Sequence, residues 1–360
     1  MNLTLITSTP FNVSQGSGTF VAGAALQRGL QQLGHTVRLL RPDRVPGRLG
    51  HTFQRFAFNL RLTKQRAADS DIVFGMDMDG FTLSGRIHPF VCYVMGVLAD
   101  EARFERGIVA QLLMLQAWAE RRSARRADVV ITTSEYSGDR IAELYDMPRN
   151  RIGVVPPAFD VIRWQRDLTG VGFERPRGEH PPTVLCVAHM YPRKNIAALI
   201  RATRLVAPRT AGIRVRIVGQ GPELPRLRNL TTSLGISGHI EFLDQLSHAD
   251  LLREFASCDL FCLPSLQEGF GLVFLEAMAS GKPVVACRAS STPELIQDGV
   301  NGLLARPHDD HDLAEQLVRL LEDPNLRAAM GQASLATAAE YRLDNTAQRL
   351  LDLVVATADG

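Results

Sequence analysis

Several signatures that would narrow the chemistry quickly are missing from this 360-residue chain. There is no CxxC pair. The five cysteines, Cys92, Cys186, Cys258, Cys262 and Cys287, are scattered and odd in number, the usage of reduced thiols in a cytosolic protein rather than of a disulfide framework or zinc finger. There is no charge excess either: a formal net charge of +2, with no RNA-binding aromatic signature, argues against nucleic acid as a partner. No apolar run reaches the ~18 residues that span a bilayer. Met1-Asn2-Leu3-Thr4-Leu5 has no basic stretch ahead of an apolar one, so neither export nor membrane insertion is expected. The P-loop pattern GxxxxGK[ST] is absent. Gly219-Gln220-Gly221-Pro222-Glu223 fails GxGxxG because Leu224 stands where the third glycine belongs, which counts against a nicotinamide-dependent dehydrogenase.

What is present is rhythm. With 45% hydrophobic residues the chain can bury two ordinary cores, and short apolar runs alternate with amphipathic stretches almost throughout. That alternation predicts an α/β fold with parallel sheets and crossover helices. Strands are expected at 3–7, 37–40, 71–74, 90–94, 129–132 and 152–155, separated by helical stretches such as 20–33 and 102–126, then at 184–188, 214–218, 239–242, 260–263, 284–286 and 302–304. Between the two sets lies Pro156–Pro182, rich in Pro, Gly and charge. The expectation is therefore a first Rossmann-like domain over 1–165, a linker over 166–182 and a second over 183–342, with a terminal helix at 343–357 packing back on the first. The crevice between such domains is the default ligand site.

The most informative stretch is Glu268-Gly269-Phe270-Gly271-Leu272-Val273-Phe274-Leu275-Glu276, running on to Gly281-Lys282-Pro283-Val284-Val285. It follows an apolar strand. Gly269 and Gly271 allow a turn that a ligand can approach closely, and a helix starting near Leu272 places Glu276 ~7 Å along its axis. Ionised carboxylates accept hydrogen bonds from vicinal hydroxyls, such as those of a sugar and a ribose, and a helix N-terminus between them suits a diphosphate. Any single glutamate is more often a solvated helix residue. The specific feature is the E-x7-E spacing with both glycines, the strand before it and the Gly-Lys-Pro-Val-Val segment after it.

On these residues the chain resembles family 4 of the retaining glycosyltransferases, over 183–340 closely and over the first half more loosely. The resemblance implies the GT-B fold, two Rossmann-like parallel-sheet domains facing a central cleft, and transfer of a sugar from a nucleotide-diphosphate donor. It implies that Glu268 contacts the transferred sugar, that Glu276 binds the ribose, and that Gly269, Phe270, Gly271 and Leu272 line the donor. Lys194, with Arg193 beside it, would stabilise the departing diphosphate in place of a metal, so no cofactor is expected. The family usually has an arginine where this sequence has His189, a weaker phosphate ligand without the fixed guanidinium fork. Gly219 and Gly221 are expected to wall the base pocket, although a plain turn accounts for them equally well. Gly16 and Gly18, ahead of a helix at 20–33, are expected to face the diphosphate from the first domain.

The acceptor side says less. The first-domain histidine that many family members carry would fall near Met95, and none is present. Asp77, Asp79, Asp100 and Glu101 are the candidate acceptor-side acids, though single acids on loops are more often merely solvated. Arg38, Arg41, Arg44, Arg48, Arg55, Arg61, Lys64 and Arg66 oppose only Asp43 and lie among Phe53, Phe56 and Phe58. Such a stretch suits the anionic inner face of a membrane, or simply a solvated surface. The resulting expectation is a cytoplasmic enzyme moving a hexose from a UDP-sugar, or next a GDP-sugar, to a glycan, lipid-linked or small-molecule acceptor. Competing readings are a nucleotide-sugar epimerase or glycan phosphorylase of the same fold, or a non-catalytic nucleotide- or sugar-binding protein.

Overall fold

The structure is a computed structural model and describes residues 1–9, 18–42, 48–173 and 180–358. The chain divides into two compact units, Met1–Phe159 with Tyr341–Gly360, and Asp160–Glu340.

The first unit holds a six-stranded parallel sheet: β1 (Asn2–Ile6), β2 (Thr36–Leu40), β3 (Ile72–Met76), β4 (Phe90–Val94), β5 (Val129–Thr132) and β6 (Ile152–Val154), in the order β2-β1-β3-β4-β5-β6. The second unit repeats the plan with β7 (Thr183–Val187), β8 (Arg214–Val218), β9 (Ile240–Leu243), β10 (Leu260–Leu263), β11 (Val284–Cys287) and β12 (Gly302–Ala305), in the order β12-β11-β10-β7-β8-β9. Helices cover both faces of a sheet of this kind. The inner strands β3, β4, β10 and β11 are therefore apolar and buried at every residue, whereas the edge strand β2 alternates.

In each sheet the strand order reverses once. The reversal lies between β1 and β3 in the first unit and between β7 and β10 in the second. At such a point the loops leaving the carboxyl ends of the two strands diverge, one to each face, and open a crevice. The loops after β1, β3, β7 and β10 are consequently the ones placed to hold a ligand within each unit.

Two differences from the sequence expectation stand out. The helix Val161–Gly170 runs from the expected first domain into the expected linker, and it belongs to the second unit. Asp160 caps it by accepting from Arg163 N, and Trp164 anchors it through an Nε1 hydrogen bond to Ser280 Oγ at 2.9 Å and an edge contact with Phe255. Only Val161 and Trp164 are buried there, so the segment shows no sustained apolar period. The long helix expected over 102–126 is broken: Gly107 takes a left-handed φ of +60° and starts a new helix, Gly107–Arg126. The last helix, Leu343–Ala358, packs on Gly18–Gln32 of the first unit. The approach is close enough that a Cβ on Gly29 would meet Leu343 O at 2.6 Å. All five cysteines are buried, and none is in a disulfide.

Candidate active site

In the second unit the loop leaving β7 carries His189, Arg193 and Lys194, and the loop leaving β10 carries Ser265, Gln267 and Glu268. The two loops are joined backbone to backbone, Leu266 N donating to Arg193 O at 2.8 Å. Glu268 is 5% exposed. Lys194 Nζ donates to its Oε1 at 2.5 Å, Ser265 Oγ donates to the same oxygen at 2.7 Å, and Arg193 Nη1 lies 4.0 Å from Oε2. Burial by itself raises a carboxyl pKa. Here Lys194, Arg193 and the hydrogen bonds from Lys194 and Ser265 outweigh it and hold Glu268 below the usual carboxylate value, so it is ionised at neutral pH.

The backbone of Glu268 is held as well. Its N–H donates to Ser290 Oγ at 2.9 Å and its carbonyl accepts from Ser291 Oγ at 3.0 Å. Both serines lie in the loop after β11, and Ser290 sits at a left-handed φ of +51°, a conformation that L residues other than Asn and Asp adopt with strain. Sequence reasoning missed Ser265, Ser290 and Ser291. Adjacent serines before Thr292-Pro293 carry no spacing signal. Two buried polar atoms nearby, Gln267 Oε1 and Thr292 Oγ1, have no hydrogen-bond partner among the described residues.

Gly271 caps the helix Leu272–Ala279 at φ +92°, where a Cβ would meet Phe274 at 2.5 Å, so only glycine fits the turn. Glu276 lies on that helix, partly buried. Burial pushes its carboxyl up to about 7, and among the described residues no protein group hydrogen-bonds or ion-pairs with it. Gly219 (φ +128°) and Gly221 press on the turn that carries His189. A Cβ on Gly219 would meet Ala188 O at 2.2 Å, and one on Gly221 would meet Met190 N at 2.6 Å. Backbone packing alone thus explains both glycines. His189 keeps its ring 6.1 Å from that of Tyr191.

The first unit answers differently. Asp79, in the loop after β3, is fully buried. It accepts from Ser8 N (2.6 Å), Ser8 Oγ, Asn59 Nδ2 (2.8 Å) and Arg55 Nη2 (3.3 Å). It has no capacity left for an acceptor, and Arg55, expected on a basic surface, is its buried counterion. Asp100 is 1% exposed and committed to Tyr136 OH, Arg103 and Arg140, so it too is a structural acid. Glu101 is half-buried. Asp77 differs from these: it accepts from Met95 N at 2.8 Å and from Thr19 Oγ1 at 3.5 Å, and burial raises its carboxyl to about 6. Gly18 opens the helix Gly18–Gln32, while Gly16, Asp43 and Arg44 lie outside the described residues. Among the described residues no three His, Cys, Asp or Glu side chains come together as a metal site.

Two family profiles together match most of the chain: Glycosyltransferase Family 4 over residues 17–163 and Glycosyl transferases group 1 over 173–336. The chain belongs to these glycosyltransferases. It is 34% identical to the D-inositol 3-phosphate glycosyltransferase of Nocardia farcinica, over 65% of this chain and 53% of that protein. It is 32% identical to the GDP-mannose-dependent alpha-(1-6)-phosphatidylinositol monomannoside mannosyltransferase of Mycobacterium tuberculosis, over 65% of this chain and 63% of the other. The match thus spans about half to two thirds of these relatives. The fold is that of Anabaena HepE solved with UDP and glucose (TM-score 0.73, 20% identity, 98% of this chain and 99% of the other). It is also that of sucrose-phosphate synthase from Thermosynechococcus elongatus (TM-score 0.81, 18% identity, 99% and 98%). The fold class is accordingly GT-B.

Proposed function

We propose that the protein transfers a hexose from a nucleoside-diphosphate sugar to an acceptor hydroxyl, with retention at the anomeric carbon and without a metal. The observation that carries this reading is the pairing, at one strand-order reversal, of a buried Glu268 kept ionised by Lys194 with Glu276 eight residues on, which has no partner among the described residues.

Glu276 takes the two ribose hydroxyls, for which it has free acceptor capacity. The backbone N–H groups of Gly271 and Leu272, at the start of their helix, and the cations Lys194 and Arg193 take the diphosphate, with His189 adding a donor. Glu268 faces the sugar. As the bond from the anomeric carbon to the diphosphate oxygen breaks, its electron pair leaves with the diphosphate, where Lys194 and Arg193 stabilise the growing charge. The acceptor oxygen attacks from the same face, and its proton passes to the departing phosphate oxygen. Asp77, with its carboxyl near neutrality, is the acceptor-side acid of this reading. UDP-sugar is the first donor to consider, supported by the UDP and glucose bound to HepE, and GDP-sugar the second, supported by the GDP-mannose-dependent relative. The names of the inositol-phosphate and phosphatidylinositol relatives support a polyol or lipid-linked acceptor.

Calorimetric titration of UDP, GDP, ADP and NAD into wild type and Glu276→Ala tests this. One diphosphate binding tightly and at least ~tenfold more weakly to the variant is the expected result. Binding of NAD alone, or a diphosphate affinity indifferent to Glu276→Ala, overturns it.

A further inference from the structure

We propose that one face of the first unit, formed by the helices Arg48–Arg61 and Gly107–Arg126, seats the protein on an anionic lipid bilayer. This stands on the surface alone, independent of the transfer reading.

On Gly107–Arg126 the buried side is Gln116, Ala117, Ala119, Glu120, Ser123 and Ala124. The opposite stripe, at helical spacing, is apolar along its first half, with Ile108 58%, Met114 53%, Leu115 45% and Trp118 54% exposed. Large apolar side chains grouped this way mark an interaction surface. Its second half is basic, with Arg121, Arg122, Arg125 and Arg126. The neighbouring helix adds Phe53 and Leu60, exposed by 67% and 70% and two turns apart on one side. The helices are joined beneath this surface. Arg55 Nη1 and Thr52 Oγ1 bond Gln116, and Phe56 meets Phe81 at 5.8 Å, which meets Trp118 at 6.1 Å. The apolar side chains of the two helices therefore belong to one surface.

Charge selects the occupant. The first helix contains no acid and ends on the exposed Arg61, its Arg55 being buried against Asp79. The second contains four arginines and a single acid, Glu120, whose side chain is fully buried against Tyr145 and Leu98 N. Asp146 pairs with Arg121 and Arg125, while Arg61, Arg122 and Arg126 have no carboxylate partner among the described residues. Exposed Trp, Leu, Ile, Met and Phe beside unpaired guanidinium groups match the boundary between acyl chains and anionic headgroups. No helix among the described residues is long and apolar enough to cross a membrane, so the contact is peripheral.

Co-sedimentation of the full chain with vesicles of phosphatidylcholine, with and without phosphatidylglycerol, tests the proposal. The expected result is at least ~tenfold more binding to the anionic vesicles at low salt, released at high salt. Leu115→Glu and Leu60→Glu, at exposed positions with no role assigned in the chemistry, are each expected to lower that binding about tenfold while melting at the wild-type temperature. Failure of wild type to bind anionic vesicles, or full binding by both variants, overturns the proposal. So does a dimer in light scattering that Leu115→Glu dissolves, which would assign the face to a second copy of the chain. If one variant melts early, the other carries the test.

Discussion

The two units present the same crevice topology and fill it with opposite chemistry. At the β1/β3 reversal Asp79 is buried with every approach taken, by Ser8, Asn59 and Arg55. At the β7/β10 reversal Glu268 is buried too, but among the described residues Glu276 has no partner, nor have Gln267 Oε1 and Thr292 Oγ1. A buried charge with saturated hydrogen bonding is a scaffold. A buried charge followed eight residues on by a second carboxylate that no protein group among the described residues engages is preorganised for something that arrives.

Substitutions can break this comparison. The largest effect is expected from Asp79→Ala, which strands the Arg55 guanidinium in the core. Urea titration should show a loss of about 3–5 kcal/mol, with transfer per folded molecule unchanged. Glu268→Ala should do the reverse, lowering kcat about a hundredfold, or ~3 kcal/mol in the barrier, with a much smaller change in donor KM. If Asp79→Ala abolishes turnover in the folded fraction, the contrast between scaffold and site is wrong.

Glu276 sharpens it through pH. Its carboxyl is raised from the ordinary value to about 7, so the folded state holds a proton that the unfolded chain has lost, and stability falls as pH rises between those values. Glu276→Gln should therefore be more stable than wild type above pH 7 by about 1 kcal/mol, allowing for partial exposure, with no advantage at acid pH. Diphosphate affinity of wild type should rise through the same window, because ribose hydroxyls select the ionised form, and that of the glutamine variant should stay flat. Glu268 has the opposite sign. Lowered by its cations, it contributes stability above the ordinary carboxylate pKa, lost as pH falls through its own. The smallest effects belong to Ser290→Ala and Ser291→Ala, about 1 kcal/mol each in stability. If they aim Glu268 they also lower kcat severalfold at constant KM, with Ser291→Thr restoring it.

The strands were legible because a sheet buried on both faces demands continuous apolar runs, and each of the twelve lies within about two residues of its expected place. The E-x7-E stretch was legible because Gly271, at φ +92° and against Phe274, occupies a turn that only glycine fits. The rest depends on contacts distant in sequence. Nothing near Arg55 announces that its partner lies 24 residues on, or that His51 and Ser8 crowd the same core. Nothing in Ser290-Ser291 points back to Glu268, 22 and 23 residues earlier. Val161–Gly170 was missed because two buried anchors are too few to make a period.

The first unit is built from two separate stretches of chain with the whole second unit between them. During synthesis, therefore, the second unit leaves the ribosome as one uninterrupted segment and is free to fold at once. The first must wait with its Gly18–Gln32 helix uncovered at Ala25 and Gly29 until Leu343 and Ala347 emerge some three hundred residues later. The unit begun first is finished last, and a ribosome stalled before residue 343 would present a folded second unit trailing an incomplete first one.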